Sequence, residues 1–272
     1  MNYISNVYVI NLDEDKERLD VMKQQIPKLG RPFKRIPAIK GKDLTPEELH
    51  NNTTFLSKYF STPSMIGCFL SHKKVWQTMI DNNDEYAIVM EDDCEIIDSF
   101  KQDLENVLDE LIPKNPDFVY LGSFGANEEN DTFVHKIQKL FLPKLNNDSF
   151  KGQYSFKPKF AWGFHFYVIS NKCAQYLLKN MPKANYHVDI SFLSAAKDLD
   201  IFVSTKKLGT QFASADQSTQ VTFKFPMTFN HIFKNIYYED DVSYTYILSV
   251  PLFQTLSYPI NAYIILICII AF

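Results

Sequence analysis

The sequence predicts an α/β fold built on a mostly parallel sheet, and three observations carry that expectation. The run Tyr86-Ala87-Ile88-Val89-Met90 is continuously apolar and stops abruptly at Glu91-Asp92-Asp93, as a strand buried on both faces does. Strand candidates then alternate with segments of helical periodicity through the first half of the chain, the order that a parallel sheet requires. Finally, 272 residues at 46% hydrophobic composition suffice for one large core or two modest ones.

The opening Asn6-Val7-Tyr8-Val9-Ile10-Asn11-Leu12 is rich in β-branched and aromatic residues and reads as a strand. A helix is expected from Lys16 to Ile26, where Leu19, Met22 and Ile26 recur at helical spacing behind Asp13-Glu14-Asp15, acids that favour a helix N-terminus. Phe33 to Ile36 is a short second strand, and Pro37 to Leu44 a loop that turns at Gly41. Thr45 and Pro46 supply the N-cap and first position of another helix. From Pro63 to Asp81, Phe69, His72, Trp76, Met79 and Ile80 fall near one face of a helix, which turns His72 inward among apolar neighbours. Spacing alone favours a satisfied core histidine there over a catalyst.

After the acidic strand, Phe100 to Leu111 carries Leu104, Val107, Leu108 and Leu111 on one helical face, with Pro113 and Pro116 ending it. Asp117 to Gly122 is a further buried strand. Between Ser123 and Lys159 periodicity fades, and a segment of that length inside a compact domain is expected to be a functional insertion on the substrate side. Order returns with a strand from Trp162 to Ser170, a helix from Asn171 to Asn180 capped by Ser170 or Asn171, a helix from about Ile190 to Lys197, and the strand Ile201 to Ser204. Gln211 and Ala213 to Ser218 read as a polar loop.

No repeat or linker divides residues 1–241, which are expected to form one domain. Residues 242–272 carry no charged side chain, and from Leu252 onward the segment just reaches the roughly twenty residues a bilayer span needs. Tyr258 and Tyr263 would be its interfacial anchors. The alternative is a terminal helix or strand docked on the protein or a partner, because Gln254, Thr255, Ser257, Pro259 and Asn261 dilute its first half. The N-terminus has no basic region followed by an apolar core, so the expected location is cytoplasmic, with membrane association on the cytoplasmic face through the tail. A net charge of −4 without a basic stripe argues against nucleic acid as partner and for a small-molecule or glycan substrate. The four cysteines lie far apart without a zinc-type spacing and suggest isolated thiols.

Ligands of open α/β sheets bind beyond the carboxyl ends of the strands. Acids at such an end either hold Mg²⁺ or Mn²⁺ against substrate phosphates or merely make a solvated turn, and three acids alone do not choose. The wider set of motifs does. Val9-Ile10-Asn11-Leu12 with Arg18, Pro37-Ala38 with Gly41, Ile66-Gly67-Cys68-Phe69-Leu70-Ser71-His72, Met90-Glu91-Asp92-Asp93, Tyr120-Leu121-Gly122 and Trp162-Gly163 with Tyr167-Val168-Ile169-Ser170 together resemble glycosyltransferase family 25, which includes lipopolysaccharide and procollagen galactosyltransferases. The resemblance covers about residues 5 to 220, and GCFLSH followed some twenty residues later by EDD is its most specific part.

The resemblance implies a GT-A fold, a Rossmann-like, mixed and mostly parallel sheet flanked by helices, that takes a UDP-sugar donor with Mn²⁺ or Mg²⁺. It implies metal contacts at Glu91 and Asp93, with Asp92 facing the ribose, and nucleotide contacts around Asn11, Leu12, Asp13, Arg18 and Gly41. Arg18 suits bidentate phosphate contact, and an ion pair with Glu14 or Asp15 on the helix surface is its alternative. Inversion of configuration requires a general base, for which Asp189 is the candidate, a helix cap being its competing role. His72 is a second candidate for catalysis, set against packing beneath the acidic loop. Asp189, His187 or Asp216 are alternatives for completing the metal shell.

Two departures stand out: Lys40 replaces the acid the family commonly has before the loop glycine, and Phe164 and Phe166 replace smaller residues after Trp-Gly. The expected function is transfer of galactose or glucose to a saccharide, glycoprotein or hydroxylysine-type acceptor. A metal-dependent nucleotidyltransferase or phosphohydrolase, and a membrane-attached sugar-binding protein without turnover, are the alternatives.

Overall fold

A computed structural model describes residues 3–54, 61–126, 144–146, 148–185, 187–211, 251–255 and 258–261. The chain divides into two compact units, the first formed by Met1–Ile39, Leu70–Pro182 and Val188–Phe212 and the second by Lys40–Phe69, Lys183–His187 and Ala213–Phe272.

In chain order the elements are β1 (Asn6–Asn11), α1 (Lys16–Gln24), α2 (Ile26–Leu29), β2 (Lys34–Pro37), α3 (Pro46–Asn52), α4 (Pro63–Asp81), β3 (Tyr86–Glu91), β4 (Cys94–Ile96), α5 (Phe100–Leu111), β5 (Phe118–Tyr120), β6 (Ser155–Phe156), β7 (Phe166–Ser170), α6 (Asn171–Asn180), α7 (Val188–Ala195), β8 (Ile201–Ser204), β9 (Gly209–Gln211), β10 (Pro251–Thr255) and β11 (Tyr258–Asn261). The main sheet of the first unit has the order β2-β1-β3-β7-β5-β8-β6. β1 pairs parallel with β2 and β3, and β5 parallel with β8, whereas β7 is antiparallel to both its neighbours and β6 is antiparallel to β8. The result is the mixed, mostly parallel sheet flanked by helices that the sequence leads one to expect.

One apolar cluster joins Val7, Val9, Ile88, Met90, Phe166 and Val168 of the strands to Met22 of α1 and to Phe100, Leu104, Val107, Leu108 and Leu111 of α5. These five residues of α5 are its buried ones, and each large side chain removed from water contributes about 1.5–3 kcal/mol. A second, aromatic cluster unites Phe118, Tyr120, Phe164, Tyr167 and Phe192; the Phe118 and Tyr167 rings stack at 4.6 Å and Phe164 meets Phe192 edge-on at 5.0 Å.

The structure departs from the expected elements at three places. The helix expected from Lys16 to Ile26 breaks at Gln25, because Pro27 cannot donate to the preceding turn and the Gln25 side chain is engaged elsewhere. Its amide nitrogen donates to the Cys94 carbonyl at 2.8 Å and its oxygen accepts from the Ile96 N–H at 2.6 Å, clamping β4. The strand expected from Trp162 begins only at Phe166, since Gly163 at φ +99° turns the backbone out of the extended region. The helix expected from about Ile190 begins two residues earlier, at Val188, and ends at Ala195. Of the expected substrate-side insertion, residues 127–143 and 147 lie outside the described residues, as do Ala213 to Ser218 and Asp216 among them.

In the second unit Thr45 and Glu48 form a reciprocal capping box that starts α3. β10 and β11 pair antiparallel, so residues 251–255 and 258–261 are extended rather than helical. No helix among the described residues is long and apolar enough to cross a membrane. Residues 262–272, the most apolar part of the expected anchor, lie outside the described residues.

Candidate active site

Connections leave β1 toward β2 on one side of the sheet and leave β3 toward β7 and β5 on the other, so the topological switch falls between β1 and β3. Crevices at such switches, at the carboxyl ends of the strands, are where open α/β sheets bind ligands. Asn11 ends β1 and Glu91 ends β3 there. Asp92 and Asp93 form the turn between β3 and β4, so strand alternation no longer governs which way they face.

Asp92 is 7% exposed and points back toward β1: one oxygen accepts from the Asn11 amide at 2.7 Å and the other from Arg18 at 3.2 Å. Both N–H groups of the Asn11 amide are used, because its nitrogen also donates to the Asp15 carbonyl, and its oxygen accepts from Arg35. Arg35 in turn pairs with exposed Asp13 at 2.5 Å. Asn11, Arg18 and Asp92 therefore form one tie between the ends of β1 and β3, with no surface pair between Arg18 and the acids of its own helix start needed to explain it. Leu12 is half-buried beside this tie.

Asp93 faces the other way, toward Gln211 of β9, whose amide lies 3.3 Å from it. Burial first, and then the charges of Glu91 and Asp92, push the Asp93 carboxyl up to about 7. Asp92 is also raised by burial, with Asn11 and Arg18 opposing the rise. Like charges held this close fit a site built for a cation. Glu91 and Asp93 offer hard oxygen donors of the kind Mg²⁺ and Mn²⁺ prefer.

His72 is fully buried, with Nδ1 2.9 Å from the Tyr167 hydroxyl and Nε2 3.2 Å from Glu91. The Trp76 indole N–H donates to the same hydroxyl at 3.2 Å. An ionised Glu91 carboxylate only accepts, so the bond at Nε2 places a proton there, and Nδ1 of the neutral ring accepts from the Tyr167 hydroxyl. This network assigns the His72 proton to Nε2, where it fixes the Glu91 carboxylate.

Asp189 stands in the first turn of α7, and its two oxygens accept the N–H groups of Gly163 at 3.0 Å and Ile190 at 2.8 Å. These bonds orient the carboxylate without using its remaining lone pairs. Gly41 belongs to the second unit and is buried; a Cβ placed on it would lie 1.7 Å from the Pro63 carbonyl oxygen. Close backbone packing thus explains this glycine. Gly41→Ala forces the backbone apart, and a loss of about 3 kcal/mol in stability is expected in denaturant titration; an unchanged midpoint would contradict the packing.

Three residues outside the expected site join it. Gln25 clamps β4, Gln211 meets Asp93, and His165 contributes its carbonyl to the Glu91 N–H at 2.9 Å. Gln25 and Gln211 are 69 and 118 residues from their partners, so no local spacing marks them. The WGFHFY run does place His165 beside a glycine, but its apolar neighbours make it read as core.

Residues 4–192 match the model of glycosyltransferase family 25, described as LPS biosynthesis protein. A "Glycosyltransferase 25 family member" of Aedes aegypti is 31% identical over 140 residues, 48% of this chain and 23% of that protein. One of Anopheles gambiae is 29% identical over 188 residues, 66% of this chain and 29% of that protein. A human protein named procollagen galactosyltransferase 2 is 32% identical over 126 residues, covering 43% of this chain and 20% of its own length. The chain thus spans between a fifth and a third of the length of these relatives.

Proposed function

Since the chain belongs to glycosyltransferase family 25, we propose that it is a metal-dependent inverting hexosyltransferase of GT-A type. It moves galactose or glucose from a UDP-sugar to a saccharide or hydroxylysine-type acceptor. The observation that carries the reading is the crowding of Glu91, Asp92 and Asp93 at the switch between β1 and β3. Glu91 and Asp93 would hold Mn²⁺ or Mg²⁺, which when bound neutralises the charge that develops on the departing diphosphate. Asp92, tied to Asn11 and Arg18, keeps the acidic turn anchored to β1. His72 holds Glu91 in one orientation, acting on the site through that carboxylate. Asp189, oriented by Gly163 and Ile190, takes the proton from the acceptor hydroxyl as it attacks the anomeric carbon opposite the leaving UDP.

Release of UDP from a panel of UDP-sugars, with Mn²⁺ and with chelator, tests this reading. Metal-dependent release from one UDP-hexose is expected. Cleavage of simple nucleoside triphosphates instead would point to a nucleotidyltransferase or phosphohydrolase, and sugar binding without turnover to a non-catalytic protein.

A further inference from the structure

Two dipeptides of one kind, Phe124-Gly125 beyond β5 and Trp162-Gly163 ahead of β7, lie against each other. The Phe124 N–H donates to the Trp162 carbonyl at 2.9 Å, and the Trp162 N–H to the Phe124 carbonyl at 3.1 Å. Directly opposed residues of such an antiparallel pair project to the same face. Each ring then lies over the glycine of the other dipeptide. An added Cβ on Gly125 would stand 2.3 Å from the six-membered ring of Trp162, and one on Gly163 would stand 3.0 Å from Cδ2 of Phe124. Both glycines have positive φ, +73° and +99°, a conformation that other residues rarely adopt. Glycine is thus required at both positions for conformation and for room, and the result is two rings on one face, with Phe124 39% exposed and Trp162 partly so.

A single residue joins this surface to the proposed base. Gly163 lies under the Phe124 ring, and its N–H donates to Asp189 at 3.0 Å. The strand order β1-β3-β7-β5 puts both dipeptides across β3 from Asn11 and the end of β1, where the sequence leads one to expect the nucleotide. A molecule on Phe124 therefore sits on the side from which an acceptor comes. The charges at the rim narrow what that molecule is. The exposed Lys207 ammonium stands 5.3 Å from the centre of the Phe124 ring, and a hydroxylysine acceptor carries an ammonium of its own, which Lys207 repels. A pyranose instead offers a face of C–H bonds, whose partial positive charge meets the negative face of an aromatic ring. Its hydroxyls suit both charged neighbours, accepting from an ammonium and donating to a carboxylate. An exposed cation is weakly held over a ring, so an arriving sugar moves Lys207 from the ring face to its rim at little cost.

We propose that the acceptor is a saccharide whose terminal sugar stacks on Phe124 with its reacting hydroxyl turned to Asp189. The proposal rests on the hexosyltransferase reading and narrows its acceptor to one class. Its test uses the full chain, the UDP-hexose that the wild type cleaves, a panel of methyl glycosides and disaccharides, and a hydroxylysine-containing peptide. Transfer to a saccharide and none to the peptide is expected. Phe124→Leu should raise the KM for that saccharide about 10-fold, with kcat and UDP affinity near wild type, whereas Phe124→Tyr, which keeps the ring, should recover most of the loss. Should Phe124→Leu fail to fold, a measurement on the wild type decides: in saturation-transfer NMR, irradiating the aromatic protons should reach the C–H protons on one face of the sugar. A saccharide KM unmoved by Phe124→Leu, sugar protons untouched by aromatic irradiation, or transfer to the hydroxylysine peptide alone would overturn the proposal. Release of UDP from no UDP-hexose would instead defeat the hexosyltransferase reading itself, and this inference with it.

Discussion

Asp93→Asn is expected to cut turnover about a thousandfold and, in the cation-free protein, to raise stability at alkaline pH. A carboxyl of this kind titrates near ~3.9 when unfolded, whereas Asp93 in the fold is pushed up to about 7 by burial and by Glu91 and Asp92. A raised carboxyl contributes its full stability below the unfolded value and loses it as pH rises through the folded one. The cation-free wild type should therefore lose stability between about pH 4 and pH 7 relative to the variant, which cannot ionise there. At pH 8 the variant should melt higher by about 5 °C, the shift that roughly 2 kcal/mol gives a domain of this size. Adding Mn²⁺ should invert the order, raising the wild type and leaving the variant unmoved. Turnover should fall about a thousandfold, the equivalent of roughly 4 kcal/mol of lost transition-state stabilisation. Identical melting curves at pH 8 and an identical response to Mn²⁺ would show that Asp93 holds no cation.

The second large effect is expected at Asp189. An amide there must present its NH₂ to either the Gly163 or the Ile190 N–H, so Asp189→Asn loses one orienting bond as well as its basicity. Transfer to acceptor should drop between about a hundredfold and ten-thousandfold, the range that positioned acid–base groups supply. Binding of UDP should stay near wild type. A residue acting only as helix support would instead lower melting temperature, nucleotide binding and transfer in parallel, and that pattern would remove Asp189 from the chemistry.

Much of the fold was legible where local chemistry and tertiary context agree. β3 shows as an uninterrupted buried run, α5 as an apolar stripe, α3 as a cap followed by Pro, and α6 as a helix whose first turn Ser170 caps through the Cys173 N–H. The break at Gln25 was legible only through Pro27, whereas the Gln25 clamp on a strand 69 residues further on was not. The site divides in the same way. The position of the three acids follows from where an apolar strand ends, and the family is readable from GCFLSH and EDD in order. That Asp92 turns toward Asn11, 81 residues away, while Asp93 turns toward Gln211 depends on a reversal of direction at residues 92–93 that strand alternation does not foresee. His165 escaped notice because Gly163 interrupts the alternation of a run that otherwise reads as buried strand.

The insertion of β7 between β3 and β5 also dictates an order of events during synthesis. Met90 pairs with Phe166 and Tyr86 with Ser170, so the acidic edge has no neighbour on that side until the chain has grown to Ser170. At about 5–20 residues per second a ribosome needs roughly 4–16 s to cover that distance. During that interval the open edge of β3, among the most apolar strands in the protein, offers unpaired N–H and C=O groups to any passing strand. The edge of β3 that ends in the three acids is therefore among the last parts of the sheet to be closed, and closure by so distant a strand is the slow, non-local kind.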